Sequence, residues 1–304
     1  MKTLLLAALL AAISPVTAIA ADAVLLPAAV PSASSANTVA LRFKFVPGET
    51  RRYKTNMTMT GTMLTGQSGA GIPMNTVMDM IMRQTVKSVR PTDGAATIST
   101  QIESMQMSMN GKPIAMPAAQ AAKMNVPTTA VMLPSGKVLE VESPALPAGG
   151  LPGMDFSSAM KTSVAFPDLP VKAGDHWNGT LNLGGMKMLY AATLAGIETV
   201  SGKDMATINQ TLSGNINMAV TKNMPAAMNM TGKITGGGSQ VFDTTAGALA
   251  SQKMEMNMDF LMMFTPPAGE ARPAGMPSAM KMMMKQIITM ERIDDAAPGV
   301  VLTQ

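Results

Sequence analysis

In the stretch KMEMNMDFLMMF, residues 253 to 264, Met254, Met256, Met258 and Met262 fall at every second position with Phe260 among them. The same spacing recurs at Met57 and Met59 and again at Met78, Met80 and Met82. A thioether can do two things. Its sulfur lone pairs bind soft ions such as Cu(I) and Ag(I), and its unbranched, polarizable chain packs against apolar groups of varied shape. The chain holds 34 Met among 304 residues, no Cys and one His, so thioethers are its most abundant special chemistry.

Three uses of these side chains compete. Met can fill a core that has only seven Phe, two Tyr and one Trp to occupy its volume. A core made mostly of Met specifies its packing poorly, however, and about thirty exceed what a simple core needs. They can instead line a cavity or groove for a lipid-like ligand or other hydrophobic partner, because Met-rich surfaces repack around different shapes. Thirdly, they can coordinate Cu(I) or Ag(I). Side chains at i and i+2 on a strand lie about 6.6 Å apart, whereas opposed residues on neighbouring strands have Cβ atoms about 5 Å apart. A metal site would therefore be cross-strand. The expected ligand-binding face is Met57, Met59, Met78, Met80, Met82, Met254, Met256 and Met258, with no cofactor required.

Enzyme chemistry has little to work with. His176 is the sole imidazole, in GDHW beside Asp175, and is expected to flank a turn next to a partly buried Trp177. No GxSxG elbow, HExxH pair or glycine-rich phosphate loop occurs. Glu140 and Glu142 share one strand face and are expected in solvent, and Asp294 and Asp295 lie near a terminus. The reading is of a protein that is not an enzyme. The net charge of +4 is small and its Lys and Arg are scattered; Arg51-Arg52-Tyr53-Lys54 is the one tight group, and so few aromatics offer no stacking platform for nucleic acid.

The elements that would position the methionines read as strands in an exported chain. Lys2, an apolar run from Leu4 to Ile13 and Ala18-Ile19-Ala20 make residues 1–20 a secretory signal peptide, too short in its apolar part to span a bilayer. The protein is expected in the periplasm of a Gram-negative envelope or secreted, with no transmembrane segment. Residues 21–38 are an Ala, Pro and Ser-rich leader, and 297–304 a tail. Between them, 39–296 reads as a single β-rich domain, or as two similar halves meeting near 143–165.

Alternation starts at Val39, with Leu41, Phe43 and Phe45 against Arg42 and Lys44, and continues through Tyr53, Met57, Met59 and Met63 opposite Lys, Asn and Thr. In ATISTQIESMQMSMNG the apolar phase slips from even positions, Ile98 and Ile102, to odd ones, Met105, Met107 and Met109. A slip of one residue predicts a bulge near Glu103-Ser104. A helical turn is expected near 118–124, a hairpin at Pro134-Ser135-Gly136, a Pro/Gly linker over 143–153 and a short helix over 154–163. Strands follow from His176, with an interruption expected at Gly236-Gly237-Gly238. The last run, MKMMMKQIITMERID, fits both periods; Ile287-Ile288-Thr289 is β-branched, which selects a strand paired with 250–264. The fold class is therefore mainly β, α+β in detail: a large curved antiparallel sheet or half-barrel of ten or more strands with one or two short helices, or two packed layers.

FVPGETRRYK, LPSGKVLEVE, FPDLPVKAGDHW and VFDTTAGAL, taken in order, resemble the landmarks of a domain-of-unknown-function family of exported bacterial envelope proteins, over most of residues 41 to 293. In architecture such proteins are similar to half-barrels of the LolA and LppX type, whose curved sheet cups an apolar ligand under a small helical lid. The resemblance thus implies a half-barrel and an apolar ligand.

Overall fold

The computed structural model of the chain describes residues 38–65, 71–115, 126–142, 165–183, 186–220, 227–265 and 278–293. Period-two sequence gives long strands here because Thr, Asn, Lys and Asp on one face stay wet while Met, Ile and Leu on the other are withdrawn from water. The strands are β1 (Thr50–Thr65), β2 (Gly71–Val89), β3 (Ala96–Met109), β4 (Lys112–Pro113), β5 (Thr128–Met132) and β6 (Val138–Glu142), then β7 (His176–Leu183), β8 (Met186–Val200), β9 (Lys203–Val220), β10 (Ala227–Asp243), β11 (Ala248–Thr265) and β12 (Ala279–Ile293). No helix occurs among the described residues.

All twelve belong to one curved, unclosed antiparallel sheet in the order β6-β5-β3-β2-β1-β12-β11-β10-β9-β8-β7, with β4 beside β3. Two meanders run outward from the middle, and the β1–β12 pairing, from Arg52 opposite Ile293 to Thr65 opposite Met280, joins them. The final run is thus a strand, placed between β11 and β1. The sheet is one layer, not two separate ones.

The predicted bulge is present. Ile81 pairs with Ser104 and Met82 with Ile102, which leaves Glu103 as the extra residue. It is held on the outer face by Arg52 at 2.7 Å and Arg83 at 3.5 Å. This one-residue step lets Ile102 and Met105, of opposite parity, both point inward.

Two expectations are corrected. Residues 41–45 alternate as foreseen, yet they are not a strand of the sheet. Their N–H groups bond to turns instead: Phe43 donates to the Pro134 carbonyl at 2.7 Å, Lys44 to Gly247 at 3.0 Å, and Val39 forms an isolated bridge with Val171. The segment crosses the base of the sheet, where Leu41, Phe166, Val171, Ala192, Leu194 and Phe242 form a core with Phe43 and Trp177 packed against it. Gly236-Gly237-Gly238 does not interrupt its strand either; β10 runs through it. A Cβ on Gly238 would strike the Lys253 carbonyl and lie 2.9 Å from Met254 Cα, so the glycine permits a close strand approach instead of ending the strand. The signal peptide, the leader up to residue 37, the helical turn, the linker, the short helix, Asp294-Asp295 and the tail lie outside the described residues.

Candidate functional site

The pairing register arranges the inward side chains in rows across the strands. One row reads Met107, Met78, Met57, Ile288, Met254 and Gly238. A second reads Thr76, Met59, Gln286, Met256 and Gly236, and a third Met74, Gly61, Met284, Met258 and Ile234. All eight methionines proposed from sequence therefore share one inner face. Met82, the remaining two-row neighbour of Met78, stands opposite Tyr53 and Ile102, nearer the base, and Met80 stands opposite Thr55 and Met105.

Their surroundings differ along the strands. Met57, Met78 and Met254 are 3%, 3% and 2% exposed and pack with Ile288, Met105 and Met256. Met59, Met80 and Met82 are also buried. Met256 and Met258, in the middle of β11, are only half-buried, as are Met284 and Ile234 beside them. Further from the base, Ile216, Met228, Met230, Met262 and Met282 form another cluster, with Phe260, Phe264 and Met280 packed on it. Glycines interleave with the large side chains: Gly61 faces Met284, Gly232 faces Phe260 and Gly214 faces Met188. A Cβ on Gly214 would sit 2.6 Å from Met188 Cγ. The missing side chains are the room into which long thioether chains lie.

The inner face also carries polar residues that sequence reading passed over. Thr55, Thr76, Gln210, Gln240, Gln252 and Gln286 are buried, and Gln240 stands directly opposite Gln252. Gln286 donates from Nε2 to the Met57 sulfur at 2.9 Å, so one thioether already serves as an acceptor. Their signal was parity: Thr55 lies in phase with Tyr53 and Met57, and Gln286 in phase with Met284 and Ile288. From these rows outward to the far end of the strands, the described inner face bears one charged residue, the exposed Lys112 at the β4 edge opposite Met109, and no Asp, Glu, Arg or His.

Ionised groups sit at the base or outside. Arg292 meets the fully buried Asp243 at 3.1 Å, and the Ala246 N–H donates to the other carboxylate oxygen at 2.7 Å. Burial pushes the Asp243 carboxyl up, but the Ala246 N–H and Arg292 together outweigh it and hold the group below the usual carboxylate range. Burial pushes the Tyr53 phenol up, against the pull of Arg51 and Arg292. The basic group at 51–54 is structural: Arg51 binds Glu49 at 2.7 Å and the carbonyls of Lys44, Ala246 and Gly247, while Arg52 binds Glu103. His176 is exposed at the start of β7, opposite Thr193, and the Asp175 carboxylate accepts the Lys172 N–H at 2.9 Å. Glu140 and Glu142 are exposed. A shallow cavity of about 530 Å³ opens on the outer face among Thr60, Thr62, Lys233, Thr235, Asn257 and Lys285. Cross-strand ion pairs stand beside it, Lys285 with Glu255 at 2.7 Å and Lys281 with Asp259 at 3.4 Å.

Among the described residues no cluster of three or more His, Cys, Asp or Glu is placed to hold a metal ion, which leaves thioether ligation as a separate matter. No described helix is long and apolar enough to cross a membrane. No protein-family model matches the chain, and no curated protein matches it in sequence. Solved structures similar to it include lipovitellin, described for its lipid–protein interactions, at 7% identity and a TM-score of 0.47; the match covers 86% of this chain and 27% of that one. They also include a LolA superfamily protein from Nitrosomonas europaea (9% identity, 84% and 87% of the two chains, TM-score 0.18) and a DUF1329 family protein from Desulfovibrio piger (11%, 81% and 87%, TM-score 0.12). None of these scores bears on function.

Proposed function

We propose that this is an exported, non-enzymatic binding protein of the bacterial envelope whose methionine-lined concave face holds a lipid-like or other hydrophobic ligand. One observation carries the reading. Met256, Met258 and Met284 lie at the centre of a sheet of twelve strands, on its inner face, and are half-buried, while Met57 and Met254 one or two rows nearer the base are almost wholly buried. A filled core is tightest at its centre. Large apolar side chains left partly open there, on a concave surface whose one charge, Lys112, stands at the β4 edge, have the character of a ligand wall. Methionine suits such a wall because its three flexible bonds let it follow acyl chains of different shape. The export signal at residues 1–20 supports an envelope location.

A second reading is soft-metal binding. Met57, Met78 and Met107 stand directly opposed on three consecutive strands, the cross-strand arrangement that thioether coordination of Cu(I) or Ag(I) requires. Replacing Met57, Met78 and Met107 by Leu separates the two. If the face binds lipid, the triple variant keeps most of its retention of a lipid probe; if these sulfurs bind Cu(I), affinity in a Cu(I) competition assay collapses while the fold survives. A folded variant that loses the lipid probe contradicts the first reading.

A further inference from the structure

The buried amides of the inner face go beyond a purely apolar wall. Gln252 on β11 opposes Gln240 on β10, and Gln240 lies diagonally next to Gln210 on β9, since Gln240 pairs with Ile208 and Gln210 with Gly238. Gln210 is 3% exposed, and its carbonyl oxygen Oε1 has no hydrogen-bond partner. Thr55, at the other end of the same belt, is fully buried with its hydroxyl likewise unpartnered. Buried polar atoms are nearly always satisfied, and leaving one empty opposes folding.

The positions directly beside Gln210 are small. Its two partners across the strands are Gly238 on one side and Ala192 on the other, so no bulky inner side chain flanks it in its row. Moving outward from that row, the face passes into Met256, Met258, Met284 and Phe260. The order is therefore fixed: a neutral hydrogen-bonding belt next to the base, then a long apolar wall whose one charge, Lys112, stands far from Gln210 at the β4 edge.

Resting on the proposed ligand wall, we infer that the ligand is an uncharged amphiphile, a long-chain lipid whose hydroxyl or amide N–H donates to Gln210 Oε1 while its chain lies along the methionine rows. An anionic headgroup gains nothing from an amide acceptor and finds no cation there to offset its desolvation. A lipid with no polar group leaves the Gln210 oxygen empty.

The test uses three probes of equal chain length: 1-hexadecanol, palmitate at pH 8 and hexadecane, each delivered from a cyclodextrin carrier to the full mature protein in equilibrium dialysis. The wild type is expected to bind hexadecanol about tenfold more tightly than either of the others, the scale of one hydrogen bond to a buried acceptor. Gln210→Met is expected to bring hexadecanol down to the hexadecane level, leave hexadecane binding unchanged, and keep or raise the thermal midpoint, because it removes an unsatisfied buried atom. Palmitate binding as well as hexadecanol, or a preference for hexadecanol that survives the substitution, overturns the inference. Equal binding of all three probes overturns it too while leaving the ligand wall standing, whereas no binding of any probe removes the wall itself. Should the variant fail to fold, the wild-type ranking of the three probes decides alone.

Discussion

At the base of the sheet Phe43, Phe166 and Phe242 meet ring to ring, with centroids 4.9 to 5.5 Å apart and two of the three contacts edge-on. Phe242 is wholly buried. At the other end of the same strand, β10, Met228 and Met230 pack with Met262 and Met282 and with partly open neighbours. Aromatic rings have few rotamers and defined edge-to-face geometry, so they fix one arrangement. Thioether chains fix none. One set of strands thus carries a rigid plug at one end, completed by the crossing segment 39–46, and an adaptable wall at the other.

The comparison breaks most sharply at the plug. Phe242→Ala is expected to cost about 3–5 kcal/mol in chemical denaturation, since it opens a cavity in a packed aromatic cluster. Next comes the buried ion pair beside it. The Asp243 carboxyl is held below its ordinary value in the folded protein, so its stabilisation is present above the ordinary value of 3.8 and disappears as the pH falls through the lower folded one. Unfolding followed by circular dichroism between pH 6 and pH 2 should show this loss, and Asp243→Asn should flatten it. In the wall the effects should shrink: Met256→Leu and Met258→Leu should each cost under about 1.5 kcal/mol, because volume and apolarity are kept and the site is partly open. His176→Asn, at an exposed strand start, should stay within about 0.5 kcal/mol and leave lipid-probe binding unchanged. A wall substitution as costly as the one at Phe242 would erase the distinction.

Much of the wall was legible because parity is a local property. The phase slip between Ile102 and Met105 located the Glu103 bulge, and the β-branched Ile287-Ile288-Thr289 separated strand from helix in β12. What escaped depended on partners distant in the chain. Leu41, Phe43 and Phe45 alternate like a strand, but whether Phe43 bonds to a neighbouring strand or to the Pro134 turn is decided about ninety residues away. Gly238 reads locally as a break, and only the approach of Lys253 and Met254 shows why a side chain cannot stand there. The glutamine belt was passed over for a different reason: Thr55 and Gln210 look like outer-face residues by type, and only their parity places them inside.

The central claim is that the half-open methionine wall is a ligand wall. Native mass spectrometry of the protein purified from its own envelope, at low collision energy, tests it most directly. The account predicts a population heavier than the mature chain by the mass of one uncharged long-chain lipid, released as collision energy rises. A spectrum holding only the mass of the bare chain, or that mass plus copper or silver, would contradict it.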